Sequence, residues 1–258
     1  LRFFRARKMD WKKATEMHKN SLEWRLSFKP DELTPKDCWN YMNGQVYWSG
    51  NDKFGRPTMI IRLCYHKVVE KGNKEQMDEL LRFVAYLMEE GIRRMPPGVE
   101  TFHIIYDRTG FRRRNLSMEE AKAVFNLFQQ HYPERLGVVH ILFANWLFWL
   151  SWKVIKTFVD PNTRKKVIIL GSNYKKVLGD LFEPDQLQCK YGGESTYEHS
   201  PDVFVEGYND VEPPSDAEES DVTVDESLLE NKEPEGTQLE DQAEDSEDDE
   251  DEFQDASG

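Results

Sequence analysis

Four short apolar runs limit what this chain can fold into: residues 58–63, 102–106, 138–143 and 167–170. Each has the length of a strand, and none shows the strict alternation of a sheet with one wet face. Longer segments with helical character separate them. Continuous apolar strands alternating with helices predict a parallel or mixed sheet covered by helices, because a strand buried on both faces is apolar throughout. The expected class is therefore α/β.

The helices carry their own signals. In residues 74–94, Met77, Leu80, Leu81, Val84, Leu87, Met88 and Ile92 recur at i, i+3, i+4 and i+7, which puts Glu79, Arg82, Glu89 and Glu90 mostly away from the apolar face. Ser117 and Glu120 form the S-x-x-E of a capping box. The helix it opens carries Ala121, Val124, Phe125, Phe128 and Tyr132 on one side. Pro133 ends it, because proline offers no amide hydrogen and clashes with the preceding turn. Residues 1–28 read as helical, with Asp10 able to cap. A short helix is expected at 36–42 and another at 173–181. Residues 51–57 read as a turn in which Gly55 takes positive φ. The predicted order alternates helix and strand, with four strands.

Residues 146–158 are unusual. They hold three tryptophans, two phenylalanines, two leucines, a valine and an isoleucine, broken only by Ser151, Lys153, Lys156 and Thr157. A helix that is apolar nearly all round needs cover on every face or contact with lipid. No apolar run reaches the length of a membrane span.

Charge separates two unlike pieces. Residues 1–200 carry 33 Lys+Arg against 24 Asp+Glu, a net of +9; residues 201–258 carry one basic and 24 acidic residues, a net of −23. The acidic piece is short of aromatics and is expected to be a disordered tail, since it cannot bury enough apolar surface to offset chain entropy. Cys38, Cys64 and Cys189 are odd in number and widely spaced, the pattern of reduced thiols in a cytoplasmic setting. The chain opens on Leu1 inside helical sequence, so an N-terminal portion is expected to be missing.

Phosphate-binding loops, dinucleotide fingerprints and nucleophile elbows are absent from the sequence. The six histidines do not pair with cysteine or acidic residues at metal-ligand spacing, and His103 and His140 read as satisfied core or pocket-wall groups. Arg112, Arg113 and Arg114 form one short cluster without interleaved aromatics, better read as solvated or phospholipid-facing than as a nucleic-acid site. The expectation is a monomeric protein that is no enzyme, holds no metal or cofactor and binds no nucleic acid.

Several motifs occur together in order: Leu1-Arg-Phe-Phe-Arg-Ala-Arg-Lys-Met-Asp10, Asp52-Lys-Phe-Gly-Arg-Pro57, Ile105-Tyr-Asp-Arg-Thr-Gly110, Tyr132-Pro-Glu-Arg-Leu-Gly137, Phe158-Val-Asp-Pro-Asn-Thr-Arg-Lys-Lys166, Leu170-Gly-Ser172 and Leu187-Gln-Cys-Lys-Tyr-Gly-Gly193. Through them, roughly residues 1–200 resemble the CRAL-TRIO lipid-binding family. The resemblance implies a mostly parallel sheet floor with covering helices and a mobile gate helix over a hydrophobic lipid cavity. It also implies a small N-terminal helical subdomain, truncated here to residues 1–30, a lipid-binding domain at 38–200 and the acidic tail at 201–258.

In phosphatidylinositol-binding members, an arginine, a glutamate, a threonine and a lysine hold the headgroup; the matching positions are Arg7, Glu134, Thr163 and Lys166. The chemistry agrees, since guanidinium and ammonium groups suit a phosphodiester and a carboxylate accepts from inositol hydroxyls. Taken alone, the same four read as surface, turn and solvated residues. The gate falls on 146–158, with Trp146, Phe148, Trp149, Trp152, Lys153, Ile155, Lys156 and Phe158 as its membrane contacts. The cavity wall falls on Phe102, Ile104, Tyr106, Ile141 and Phe143.

Two departures stand out. The family's Asn-Ala-Pro before the gate reads Phe143-Ala144-Asn145 here. Where a yeast member uses hydroxyl side chains to bind phosphatidylcholine, this chain has Phe102 and Ile104, which leaves the second cargo open. The implied function is lipid binding and transfer or presentation between membranes, most simply phosphatidylinositol exchanged against a second apolar lipid, by a cytoplasmic protein that docks transiently on membranes. The alternative is a lipid-sensing module of a larger signalling or trafficking protein.

Overall fold

A computed structural model describes residues 1–196; the expected acidic tail at 201–258 lies outside the described residues. Seven α-helices and five strands follow one another among them: α1 (Arg2–Ala6), α2 (Trp11–Phe28), β1 (Val46–Asn51), β2 (Pro57–Ile61), α3 (Lys74–Arg94), β3 (Phe102–Asp107), α4 (Met118–His131), β4 (Leu136–Leu142), α5 (Trp146–Ile155), α6 (Pro161–Lys165), β5 (Val167–Leu170) and α7 (Tyr174–Leu181). The strands lie side by side in sequence order. β1 is antiparallel to β2, and the other neighbours are parallel. Because parallel crossovers are right-handed, this order puts α3, α4 and α5 on one face, here called inner.

The α/β reading therefore holds, with one strand added. β1 escaped the sequence reading because Ser49 and Gly50 interrupt it. It is an edge strand whose Tyr47 and Trp48 are buried against opposite sheet faces. Its pairing with β2 shifts between Trp48 and Asn51. There Gly50 takes φ +65°, and a Cβ on it would lie 2.1 Å from the Gln186 carbonyl oxygen.

Local expectations hold to different degrees. The helix at 74–94 matches α3 end to end. Residues 1–28 form two helices rather than one, since Lys8 and Met9 adopt left-handed backbone before Asp10 caps α2 by accepting from the Lys13 amide. The stretch expected as a short helix at 36–42 is 3₁₀ from Pro35 to Tyr41, and the turn after Asp160 closes into the single-turn α6. Only half of the capping box forms. Ser117 accepts from the Glu120 amide, but the Glu120 carboxylate turns inward to His66 Nε2 and the Val69 amide.

Two apolar clusters sandwich the sheet. On the inner face Trp48, Met59 and Phe102 pack with Leu80, Phe83, Leu87 and Met88 of α3. On the outer face Tyr47, Ile60, Ile105, Leu142 and Leu170 pack with Leu178, Phe182, Leu187 and Tyr191. His103 and His140 sit in the outer layer. His103 Nδ1 is 3.0 Å from Asp52 and its Nε2 is 2.7 Å from His140 Nδ1. With each Nδ1 donating, both rings are neutral and satisfied. Burial holds His140 down to about 4 and lowers His103 as well, consistent with that state.

Candidate functional site

Strand alternation decides which side chains face α3–α5. On β3 these are Ile104 and Tyr106, beside Val139 and Ile141 on β4 and Val167 and Ile169 on β5. Of the six, Ile141 is buried, and the rest keep some accessible surface although helices cover this face. Tyr106 is enclosed enough that burial pushes its phenol up. Ile104, Tyr106 and Ile141 thus lie together on one face of the sheet. Phe102, at the same face, packs instead into the core against Trp48, with ring centroids 4.9 Å apart. Phe143 points elsewhere, half-exposed and edge-on to Tyr174 of α7.

At the N-terminal ends of β4 and β5 the sequence turns polar. Glu134 stands just before β4 in left-handed backbone, φ +57°, a conformation that costs a non-glycine residue energy and persists where the surroundings impose it. Its carboxylate lies 3.8 Å from Lys166 Nζ, which also donates to the Leu136 carbonyl at 2.8 Å. Thr163 sits one turn earlier on α6, where its amide donates to Asp160 and its carbonyl accepts from the Lys166 amide. Glu134, Thr163 and Lys166 are therefore neighbours. Arg7 caps the end of α1 and, among the described residues, makes no side-chain hydrogen bond or ion pair with these three. Its helix is tied nearby: Arg5 pairs with Glu100 at 2.7 Å, and Arg135 donates to the Glu100 carbonyl.

The greasy stretch forms α5 from Trp146 to Ile155, and Lys156–Phe158 continue as a turn. Asn145, standing where the family has proline, caps the helix by accepting from the Phe148 amide at 3.2 Å. Leu147, Phe148 and Ser151 point inward and are buried. Trp146, Trp149, Leu150 and Val154 point outward at 54%, 54%, 56% and 48% exposure. Lys153 and Lys156 are exposed at the rim of that patch, Trp152 and Ile155 are half-buried, and Phe158 meets Phe125 of α4 edge-on.

Two polar features were not visible in the sequence. Glu89, expected to face away from the core, is buried and accepts from Arg25 of α2 and from the Tyr132 hydroxyl after α4. Arg108 is buried after β3, between Tyr106 and the start of α5. The Asp-Arg-Thr-Gly string located a turn but said nothing of where the guanidinium goes.

A family model described as "CRAL/TRIO domain" matches residues 41–193. A CRAL-TRIO domain-containing protein of Schizosaccharomyces pombe is 30% identical over 205 residues, covering 77% of this chain and 19% of that protein. The phosphatidylinositol transfer protein CSR1 of Eremothecium gossypii is 29% identical over 227 residues, covering 82% of this chain and 50% of that one. The chain thus spans between 19% and 50% of these relatives' lengths. The crystal structure of Sfh5 matches with a TM-score of 0.58 at 23% identity, over 75% of this chain and 70% of the other, a likeness of fold.

Proposed function

The chain belongs to the CRAL/TRIO domain family, and from that premise we propose that it binds a phospholipid between the inner sheet face and α5 and transfers or presents it at membranes. Phosphatidylinositol is the first cargo, exchanged against a second apolar lipid. One observation carries this reading. α5 is apolar on both sides, burying Leu147 and Phe148 while presenting Trp146, Trp149, Leu150 and Val154 outward. A lid that faces lipid on either side needs that composition. A core helix does not.

The energetics require such a lid. A two-chain phospholipid exposes on the order of 30 methylenes, and at about 0.8 kcal/mol each its passage through water costs over 20 kcal/mol. A carrier must therefore dock and open directly onto the bilayer. Tryptophans flanked by lysines suit the headgroup zone, and Lys153, Lys156, Arg164 and Lys165 would each contribute roughly 1 kcal/mol toward an anionic leaflet. Among the described residues no helix is long and apolar enough to cross a membrane, so the association we propose is peripheral and transient, by a monomer.

In this reading Lys166, already oriented by the Leu136 carbonyl, meets the phosphodiester, and Glu134 accepts from inositol hydroxyls while holding the ammonium. Thr163 contributes its hydroxyl, and Arg7 enters from α1. Lys166→Ala is expected to lower phosphatidylinositol binding by about tenfold, the value of one charge-assisted contact, while binding of diacylglycerol, which lacks the phosphodiester, changes little. Equal retention of both lipids by the variant contradicts the assignment. A second reading, a lipid-sensing module within a larger protein, draws on the lengths of the relatives, several of which are more than twice the matched region.

A further inference from the structure

Among the described residues, Arg108 is a buried cation without an anion. Its side chain follows β3, with 4% of the residue exposed. One terminal nitrogen donates to the Tyr106 hydroxyl at 3.1 Å, and the other reaches the Asn145 side-chain oxygen at 3.4 Å. Nε is buried and, among the described residues, has no partner. Three rings surround the guanidinium carbon: Phe111 at 4.1 Å, Phe148 at 5.3 Å and Tyr106 at 5.4 Å from their centroids.

The adjacent carboxylate does not compensate it. Asp107 accepts from the Thr109 amide and from the Tyr191 hydroxyl, both at 2.9 Å. Among the described residues Arg108 has no ion pair, and burial lowers its pKa. The positive end of the α5 dipole adds to the imbalance, since Asn145 is that helix's cap. Rings facing a guanidinium offset part of the desolvation, but an unpaired buried charge remains costly, since buried charges are ordinarily paired.

We propose that Arg108 receives the oxyanion of a bound amphiphile, a carboxylate or phosphate at the end of an apolar chain, beneath the first turn of α5. The apolar part then lies along Tyr106, Ile104 and Ile141. This site is separate from the Glu134/Lys166 pair. Arg108 follows the C-terminal end of β3, whereas the pair precedes β4 and β5, and the seven residues of β4 span about 20 Å. The inference rests on the lipid-carrier reading and adds a second polar anchor at the opposite end of its cavity. It also narrows the second cargo, from any apolar lipid to an anionic one. Because Asn145 both caps α5 and contacts Arg108, an oxyanion there would take up the guanidinium just where the lid begins.

The test compares oleate with oleyl alcohol, which share a chain and differ in charge, by displacement of a fluorescent fatty acid from the whole chain. Wild type is expected to favour oleate by about tenfold or more, and Arg108→Gln to lose that preference by weakening oleate alone. Equal wild-type affinity for the two overturns the proposal without any variant, so a poorly folded substitution does not decide the matter. A preference that survives in Arg108→Gln overturns it as well. So does displacement of oleate by millimolar inorganic phosphate, which would make this a free-anion site. Failure to bind either amphiphile overturns the proposal, whereas the carrier reading falls only if the same protein also takes up no phospholipid from vesicles.

Discussion

Aspartate at both Trp149 and Leu150 is expected to weaken binding to anionic liposomes about a hundredfold or more while leaving the melting temperature unchanged. Both side chains stand more than half-exposed on the outer side of α5, so neither contributes much to the core. Full burial of such a side chain is worth about 1.5–3 kcal/mol, and roughly half of that surface is still available to a bilayer. Each aspartate also places a negative charge against an anionic leaflet, at about 1 kcal/mol apiece. Together these approach 4 kcal/mol, or nearly three decades in affinity. Co-sedimentation with vesicles and a thermal melt measure the two quantities side by side. Liposome binding that persists while the melt falls would make α5 a core helix and remove the lid.

Glu89→Ala is expected to have the largest effect on stability. The Glu89 carboxylate joins three helices: it sits on α3, takes a 2.7 Å bond from Arg25 on α2 and a 2.9 Å bond from the Tyr132 hydroxyl at the end of α4. Around it Trp24 stacks on His131 at 3.9 Å, which fixes α2 against α4. Burial and the Glu89 carboxylate together push the Tyr132 phenol far up, so Tyr132 stays a donor at any physiological pH. Alanine leaves that buried hydroxyl without an acceptor and Arg25 with only the exposed Asp31, a loss of about 3 kcal/mol. For a domain of this size that lowers the melting temperature by roughly 6–12 °C. Glu89→Gln keeps one acceptor and is expected to recover more than half of the loss. A melt unmoved by alanine would mean that the joint contributes nothing.

How much of this was legible follows from the range of the interactions involved. Local signals were readable: the periodicity of α3 located both of its ends, Asp10 and Ser117 marked caps, and apolar runs marked the four parallel strands. Polar groups that reach across sequence were not. Glu89 looks solvent-facing on a helical projection and Glu120 reads as half of a capping box, yet both are buried by partners 64 and 54 residues away. β1 is another such case, since its burial depends on α3 at the Trp48 face and on Leu187, far downstream, at the Tyr47 face. Of the headgroup candidates, Glu134 and Lys166 came together because each precedes a strand at the same sheet end, a consequence of parallel topology. Arg7 belongs to a separate helix whose place the strand pattern does not determine. Arg108 gave no signal at all, because an arginine in a turn is ordinary until its surroundings are known.

The central claim is that a phospholipid occupies the space under α5. Mass spectrometry of lipids extracted from the purified protein tests it most directly. The account predicts phosphatidylinositol enriched over its abundance in the source membranes, together with a second, anionic lipid. A protein that yields no phospholipid, and takes none up from vesicles, contradicts it.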